Sequence, residues 1–482
     1  MDDRAHHRRS GALGGAPGPS GREEKVGKVL FLRFLLSIIL ILAFCRAPSM
    51  RAAEPPAGYL MGYFTESLTG RGDSWNLQIA VSEDGLDWMP LNQNEPVLVS
   101  KLGQKGIRDP YFLRKQEGGF VVLATDLTGK KMIATPNIFV CETADFITFE
   151  NPRLLKLHDT DMWTQAPEAF FDPVKNEYGI IWTGDAGYHR IYVNHTRDFV
   201  NVSPSEIYFD PGHDVRDATL VTAPAAAGSF LYYRDGEANR VRGSHSSGPS
   251  PGGFPEIPYA KPPGQNLTEA PLLVPARQEN RWFLYAESNN PVNAEFYAWQ
   301  TDDLARDSWQ EINKRDFNPP LNAKHATVLP ITRSEMDRLV AHWGRPKWNR
   351  LKSWNYPDCY LRHESMLAMI SPYPFDPYQD SQWIIVPGLA DAGGVSFESV
   401  NYPGHFLLRV AEHARLVKYE DTPEFRDRAT FVKVSGLAEP GWSSFHAWSA
   451  PDLYLRHASH HLRVEGVSTQ GDREDSTFRV VY

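Results

Sequence analysis

Cysteine is nearly missing from this sequence: Cys45, Cys141 and Cys359 are the only three in 482 residues. So few, so widely spaced, exclude a disulfide framework and a thiolate metal site. Cys141 and Cys359 read instead as small buried thiols. A long basic run is also missing. Net charge is -9, and residues 1–53 contribute +5, so the remainder carries -14. That acidic body argues against nucleic acid as a partner. One apolar stretch stands out, Val29 to Phe44, interrupted by Arg33 and Ser37. It is short for a membrane span, which needs roughly 20 residues. A basic tail precedes it, and Arg46, Arg51, Ala52 and Ala53 follow. Residues 1–53 therefore read as a basic tail with a secretory signal peptide or an uncleaved signal anchor. Either way the rest of the chain is expected to be extracytoplasmic, secreted or held to a membrane by that segment. Asn194-His195-Thr196, Asn201-Val202-Ser203 and Asn266-Leu267-Thr268 fit the glycosylation acceptor pattern, which often arises by chance.

Aromatics, at 12%, are plentiful, and 36 Gly and 37 Pro suit short strands joined by turns better than long helices. The middle of the chain repeats itself. One unit is a strand, a polar turn with Asp, then an apolar or aromatic residue. It occurs at Ala80–Trp88, Cys141–Phe149 and Asn194–Val202, and more loosely at Trp299–Trp309. A second unit sets a polar residue beside Pro or a small residue before an apolar strand. Its copies are Arg108–Phe112, Ala166–Phe170, Arg216–Leu220, Thr268–Leu272 and Lys324–Val328. Five copies of a small antiparallel unit predict an all-β, five-bladed propeller over residues 54–345, in which each blade begins at the central channel. Tyr59–Phe64 and Leu77–Val81 precede the first copy and are expected to complete the last blade.

The repeat gives the acidic residues meaning. Asp109, Glu168, Asp217 and Glu269 take equivalent places in it and are expected to converge on one channel mouth. Packing alone disfavours such clustering, because carboxylates repel and raise each other's pKa. Glycoside hydrolysis needs it: one protonated acid for the leaving oxygen, one ionised base for water, and a neighbour to tune the acid.

These motifs, in this order, resemble glycoside hydrolase family 43, five-bladed propellers that include inverting α-L-arabinofuranosidases, arabinanases and β-xylosidases. The resemblance implies that Asp109, in Arg108-Asp109-Pro110, is the general base. It implies that Glu269, in Glu269-Ala270-Pro271, is the general acid. Asp217 would be the pKa modulator, although Ala218 stands where the family has Pro or Thr. Gln165-Ala166-Pro167-Glu168 matches a substrate-binding motif but lacks its Trp, which Trp163 would replace. His325 matches the family's axial His. No cofactor is required; a calcium ion in the channel, contacted by His325, is compatible with the family. The Trp/Met-Asn-Asp-Pro motif of the retaining five-bladed enzymes is missing.

After Trp343 a different repeat begins. Trp354–His363, Val400–Arg409 and Trp448–His457 are spaced by about 46 and 48 residues. Three such units over 346–482 predict a β-trefoil. The Asn-Tyr-Pro and Tyr-Leu-Arg-His elements resemble the arabinofuranosidase-B-type arabinose-binding domain, carbohydrate-binding module family 42. That resemblance implies arabinofuranose sites at His363 with Asp380 and at His457 with Asp475. Arg409 and Arg428 replace the pair in the middle unit, so two working sites are expected. Together the two regions predict a glycosidase that removes α-L-arabinofuranosyl groups from plant hemicellulose or pectin by an inverting two-carboxylate mechanism. The alternatives are a non-catalytic arabinan- or arabinoxylan-binding protein, and a β-xylosidase or galactan-active hydrolase on the same fold. The expected partner is an arabinose-containing polysaccharide, with no protein partner implied.

Overall fold

The computed structural model describes residues 54–66, 74–129, 133–223, 228–255, 268–277, 280–288, 296–304 and 308–482. The apolar segment Val29–Phe44 and the acceptor Asn266 lie outside them. Among the described residues no helix is long and apolar enough to cross a membrane.

Five small antiparallel sheets follow one another, each starting from an inner strand. The inner strands are Arg108–Arg114, Gln165–Asp172, Val215–Ala223, Thr268–Pro275 and Ala323–Thr332. The last of these pairs with Pro56–Thr65, the first strand of the domain, and Gln78–Ser82 lies next to it. The ring thus closes by pairing its two ends, as the order of the repeats implies.

Alternation along each second strand explains its near-continuous apolar sequence. On Phe120–Thr125, residues Phe120, Val122 and Ala124 pack towards the last blade with Leu60 and Phe112. Val121 and Leu123 point the other way, onto Ile180 and Trp182 of the next blade. Period-two side chains serve two cores at once, so both faces must be apolar. The third strands end in the recurring polar turn. Asp84, Asp145 and Asp198 each accept two backbone N–H bonds, from residues 86 and 87, 147 and 148, and 200 and 201. Ser82, Thr143 and Thr196 accept a further N–H from Gly85, Phe146 and Phe199. These Asx and Ser/Thr turns pin Phe146 and Phe199, both buried, against neighbouring strands. Asn194 is wholly buried there and spends its amide on the Leu157 and Ser203 carbonyls, so it cannot accept a glycan as folded.

A helix, Arg333–Trp343, leaves the last inner strand with a capping box between Thr332 and Glu335. Beyond it lies a twelve-stranded antiparallel sheet with its own core. Its hairpins Cys359–Glu364/Leu367–Pro372, His405–Val410/His413–Lys418 and Ala450–Ala458/His461–Gly466 touch one another pairwise. Lys352 joins this module to the propeller: its buried Nζ donates to the Phe317 carbonyl and Asn318 Oδ1, both at 2.9 Å.

Candidate active site

Every inner strand carries one bulge at its start. Asp109-Pro110, Ala166-Pro167, Asp217-Ala218 and Ala270-Pro271 each oppose a single partner residue, and so does His325-Ala326. The first residue of each bulge has a positive φ: 48° at Asp109, 48° at Ala166, 51° at Asp217, 51° at Ala270 and 38° at His325. Such backbone costs roughly 1–3 kcal/mol per residue and is kept where it re-aims a side chain.

The bulges correct the expected equivalence of the acids. Aligned on them, Asp109, Asp217 and His325 share one ring with Ala166 and Ala270. Glu269 belongs one residue earlier, with Arg108, Gln165, Arg216 and Lys324. Glu168 comes directly after its bulge, with Tyr111, Thr219, Leu272 and Thr327. One mouth cavity of about 380 Å³ is lined by all five residues before the bulges and by Asp109, Asp217 and His325. Trp163, Asp185, His189 and Glu287 complete much of its wall. Glu168 is not on that lining. It is 8% exposed, is bonded by the Leu220 N–H, and is pushed up to about 8 by burial. It is a buried channel residue instead of a mouth residue.

The carboxyls of the mouth differ in protonation. Burial would raise Asp109, but His325, Arg108 and the Thr125 hydroxyl outweigh it and hold Asp109 well below the usual carboxylate range. Thr125 Oγ1 donates to Asp109 Oδ2 at 2.7 Å, and His325 Nδ1 lies 3.3 Å from Oδ1. Glu269 goes the other way. Burial, then Asp217 and Glu287, push it up to about 7, against the pull of Lys324 and Arg234. His325 is pushed up to about 10, Asp109 overcoming the burial that would lower it. Among the described residues no group of three or more His, Cys, Asp or Glu side chains is placed to hold a metal ion.

Trp163 reaches the wall from the loop before the second inner strand, its backbone N–H donating to Asp185 Oδ1 at 2.8 Å. His189 is held by Asp214 at 2.8 Å, and Asp214 also takes Arg216 Nε at 2.9 Å. Sequence reasoning missed His189, Asp185 and Glu287. Glu287 closes the apolar strand Trp282–Ser288, and a carboxylate ending such a strand was the available signal.

In the carboxyl-terminal module the predicted pairs assemble between units. His363 Nε2 meets Ser399 Oγ at 3.1 Å and Asn401 Oδ1 at 3.0 Å, while Asn401 Nδ2 donates to Asp380 at 2.7 Å. His457 Nε2 meets Ser353 at 3.2 Å and Asn355 at 3.0 Å, and Asn355 donates to Asp475 at 2.6 Å. Tyr402 and Tyr356 stand edge-on to the two imidazoles at 5.3 and 5.4 Å. Burial, joined by His460 and Arg456, pushes His457 down to about 4; burial also lowers His363. At the third junction Arg409 lies 3.6 Å from Asp427, and Ser449 donates to the same carboxylate at 2.7 Å. There Ser449-Ala450 stands where the other junctions have Asn-Tyr, so both halves of the motif change together.

The chain matches a family model described as "probable glycosyl hydrolase domain", related to glycoside hydrolase family 43, over residues 54–337. It matches the α-L-arabinofuranosidase B domain over residues 349–480. An α-L-arabinofuranosidase of Bifidobacterium longum is 25% identical over 201 residues, which are 34% of this chain and 18% of that protein. The anti-sigma-I factor RsgI5 of Acetivibrio thermocellus is 43% identical over 129 residues, 27% of each. The chain thus spans under a third of the length of either curated relative. Among solved structures, an exo-β-1,3-galactanase from Clostridium thermocellum shares 10% identity and covers 78% of this chain and 95% of its own; its TM-score of 0.38 is too loose to bear on function. The chain belongs to the glycosyl hydrolase domain family related to glycoside hydrolase family 43, and carries an arabinofuranosidase-B-type domain after it.

Proposed function

We propose that the protein is an α-L-arabinofuranosidase that cleaves arabinofuranosyl groups from plant polysaccharide with inversion. One observation carries the reading: a single cavity holds Asp109, whose carboxyl is kept well below the usual range, and Glu269, which is pushed up to about 7. Glycoside hydrolysis asks for that pairing, and inversion is what the likeness of the motifs to glycoside hydrolase family 43 adds. Asp109 takes a proton from water as the water attacks the anomeric carbon. Glu269 gives its proton to the glycosidic oxygen as the bond to that carbon breaks. Burial, and after it Asp217 on the same ring as Asp109, raises Glu269 far enough to keep a proton near neutral pH. His325 is a structural cation for Asp109, and Trp163 offers a face for sugar C–H groups.

The arabinose preference draws on the carboxyl-terminal domain and on the 25% identical relative. We propose that its three units form a β-trefoil with two arabinofuranose sites, at His363 with Asp380 and at His457 with Asp475. The Arg409–Asp427 pair fills the third position. Residues 1–53 would deliver the chain out of the cytosol. Incubation with arabinan, arabinoxylan, xylan and β-1,3-galactan tests the specificity. Release of free arabinose is expected; release of xylose or galactose alone contradicts it, and no release from any of them favours a binding protein.

A further inference from the structure

Glu287 is 2% exposed and lies directly opposite Glu269 on the neighbouring strand. Its position recurs around the ring. Thr125 faces Arg108 and Thr183 faces Gln165, in each case the residue before a bulge. All three accept the first bulge N–H of the next blade. Ala166 donates to Thr125 at 2.9 Å, Asp217 to Thr183 at 3.0 Å, and His325 to Glu287 Oε2 at 3.0 Å. A hydroxyl thus meets the structural need in two blades. A carboxylate is not required for the fold here. Burying one opposite Glu269 adds desolvation and repulsion, which must be offset by something else.

We infer that Glu287 is a positioning residue for the catalytic proton: it keeps that proton on Glu269, with Lys324 as the counter-ion that keeps Glu287 ionised. The inference rests on the acid role proposed above for Glu269. Two carboxyls this close titrate as a pair, and the pair keeps one proton well above the ordinary carboxylate range. Where the proton sits depends on the surroundings. Burial pushes Glu287 up as well, and Asp109 adds to it; against them act Lys324 Nζ at 3.6 Å, the His325 imidazolium and the His325 N–H, which donates to Oε2 at 3.0 Å. Glu269 faces Asp217 and Glu287, with Arg234 at 3.5 Å and Lys324 as its cations. The direct His325 N–H bond, together with the Lys324 contact, places the negative charge on Glu287 and the proton on Glu269. Lys324 stays charged because the attraction of Glu287 overcomes burial. When Glu269 has given up its proton, it is left as an anion beside an anion, which drives it to regain a proton from solvent before the next turnover.

The experiment is kcat/KM against pH on the full chain, with an unactivated arabinofuranosyl oligosaccharide and a nitrophenyl arabinofuranoside. Glu287→Gln keeps size and the acceptor oxygen, and Glu287→Thr installs the residue used in two other blades. Both should move the basic limb on the oligosaccharide down by about one unit, a roughly tenfold loss above the limb with little loss below it. Lys324→Met should move the same limb upward, since removing the cation makes the pair's last proton harder to lose. The activated substrate should show little of either shift. A uniform loss at all pH values in both Glu287 variants, with the limb in place, would overturn the inference and leave Glu287 a structural acceptor. If instead Glu287→Gln, and not Glu269→Gln, selectively loses the oligosaccharide, the acid role of Glu269 fails and the inference falls with it.

Discussion

Both halves of the chain are built from repeats, but they use repetition in opposite ways. In the propeller each blade brings a different residue to one shared mouth: Arg108 and Asp109, Gln165, Arg216 and Asp217, Glu269, Lys324 and His325. In the carboxyl-terminal module two of the three junctions keep a like cluster of their own, His363–Asn401–Asp380 and His457–Asn355–Asp475. The chemistry follows the same division. The propeller mouth drives its groups apart, with Asp109 held low and Glu269 pushed up to about 7. The module instead repeats one neutral arrangement, with His457 down to about 4. One shared mouth with unlike groups is what the proposed cleavage needs, and separate clusters of like groups are what the proposed binding needs.

The largest expected way to break that contrast is at Glu269. Glu269→Ala should lower kcat on a natural arabinoside by about 10²–10⁴-fold, the usual worth of a general acid. It should cost much less on an activated aryl glycoside, and carbohydrate binding by the module should be untouched. Equal losses on both substrates would count against the acid role. Next comes stoichiometry. Titration calorimetry with an arabinofuranosyl oligosaccharide should find two sites on the module; His457→Ala should leave one, and Arg409→Ala should still leave two. Three sites in the parent chain would contradict the division drawn above.

A smaller effect separates the regions by pH. Glu269 is protonated below about 7 and ionised above it, so kcat/KM on unactivated glycan should fall as pH rises through that value. The acidic limb should lie below the ordinary Asp value of about 4, because Asp109 ionises more readily than usual. Binding by the module should stay flat through the neutral range, since burial keeps both imidazoles neutral there. Smallest is the turn at Asp198, whose carboxylate takes the Val200 and Asn201 N–H groups at 2.9 and 2.8 Å. Asp198→Ala should cost about 1 kcal/mol in urea unfolding, as loss of a comparable cap does.

Much of this was legible in the residues. The five inner-strand copies and the early strand at Tyr59–Phe64 were enough to foresee five blades closed by their ends. Asp109, Asp217, Glu269, His325 and Trp163 were all brought to one cavity. What stayed hidden was the bulge. A bulge moves one residue out of register without marking the sequence, so Glu168 looked equivalent to Asp109 while lying beyond the mouth. Glu287 was hidden for a related reason: a carboxylate near the end of an apolar strand was visible, but its place opposite Glu269 comes from the strand pairing. The degenerate middle unit was readable at Arg409 and Arg428. Its second half, Ser449 and Ala450, became meaningful only once each side-chain cluster was seen to span two units.

The most direct measurement is the anomeric form of the first sugar released, followed by proton NMR during hydrolysis of arabinan or arabinoxylan. Asp109 as base and Glu269 as acid, with water attacking opposite the leaving group, predict β-L-arabinofuranose first, equilibrating later to the mixture. Initial α-L-arabinofuranose would mean retention, and would contradict the roles assigned to both carboxylates.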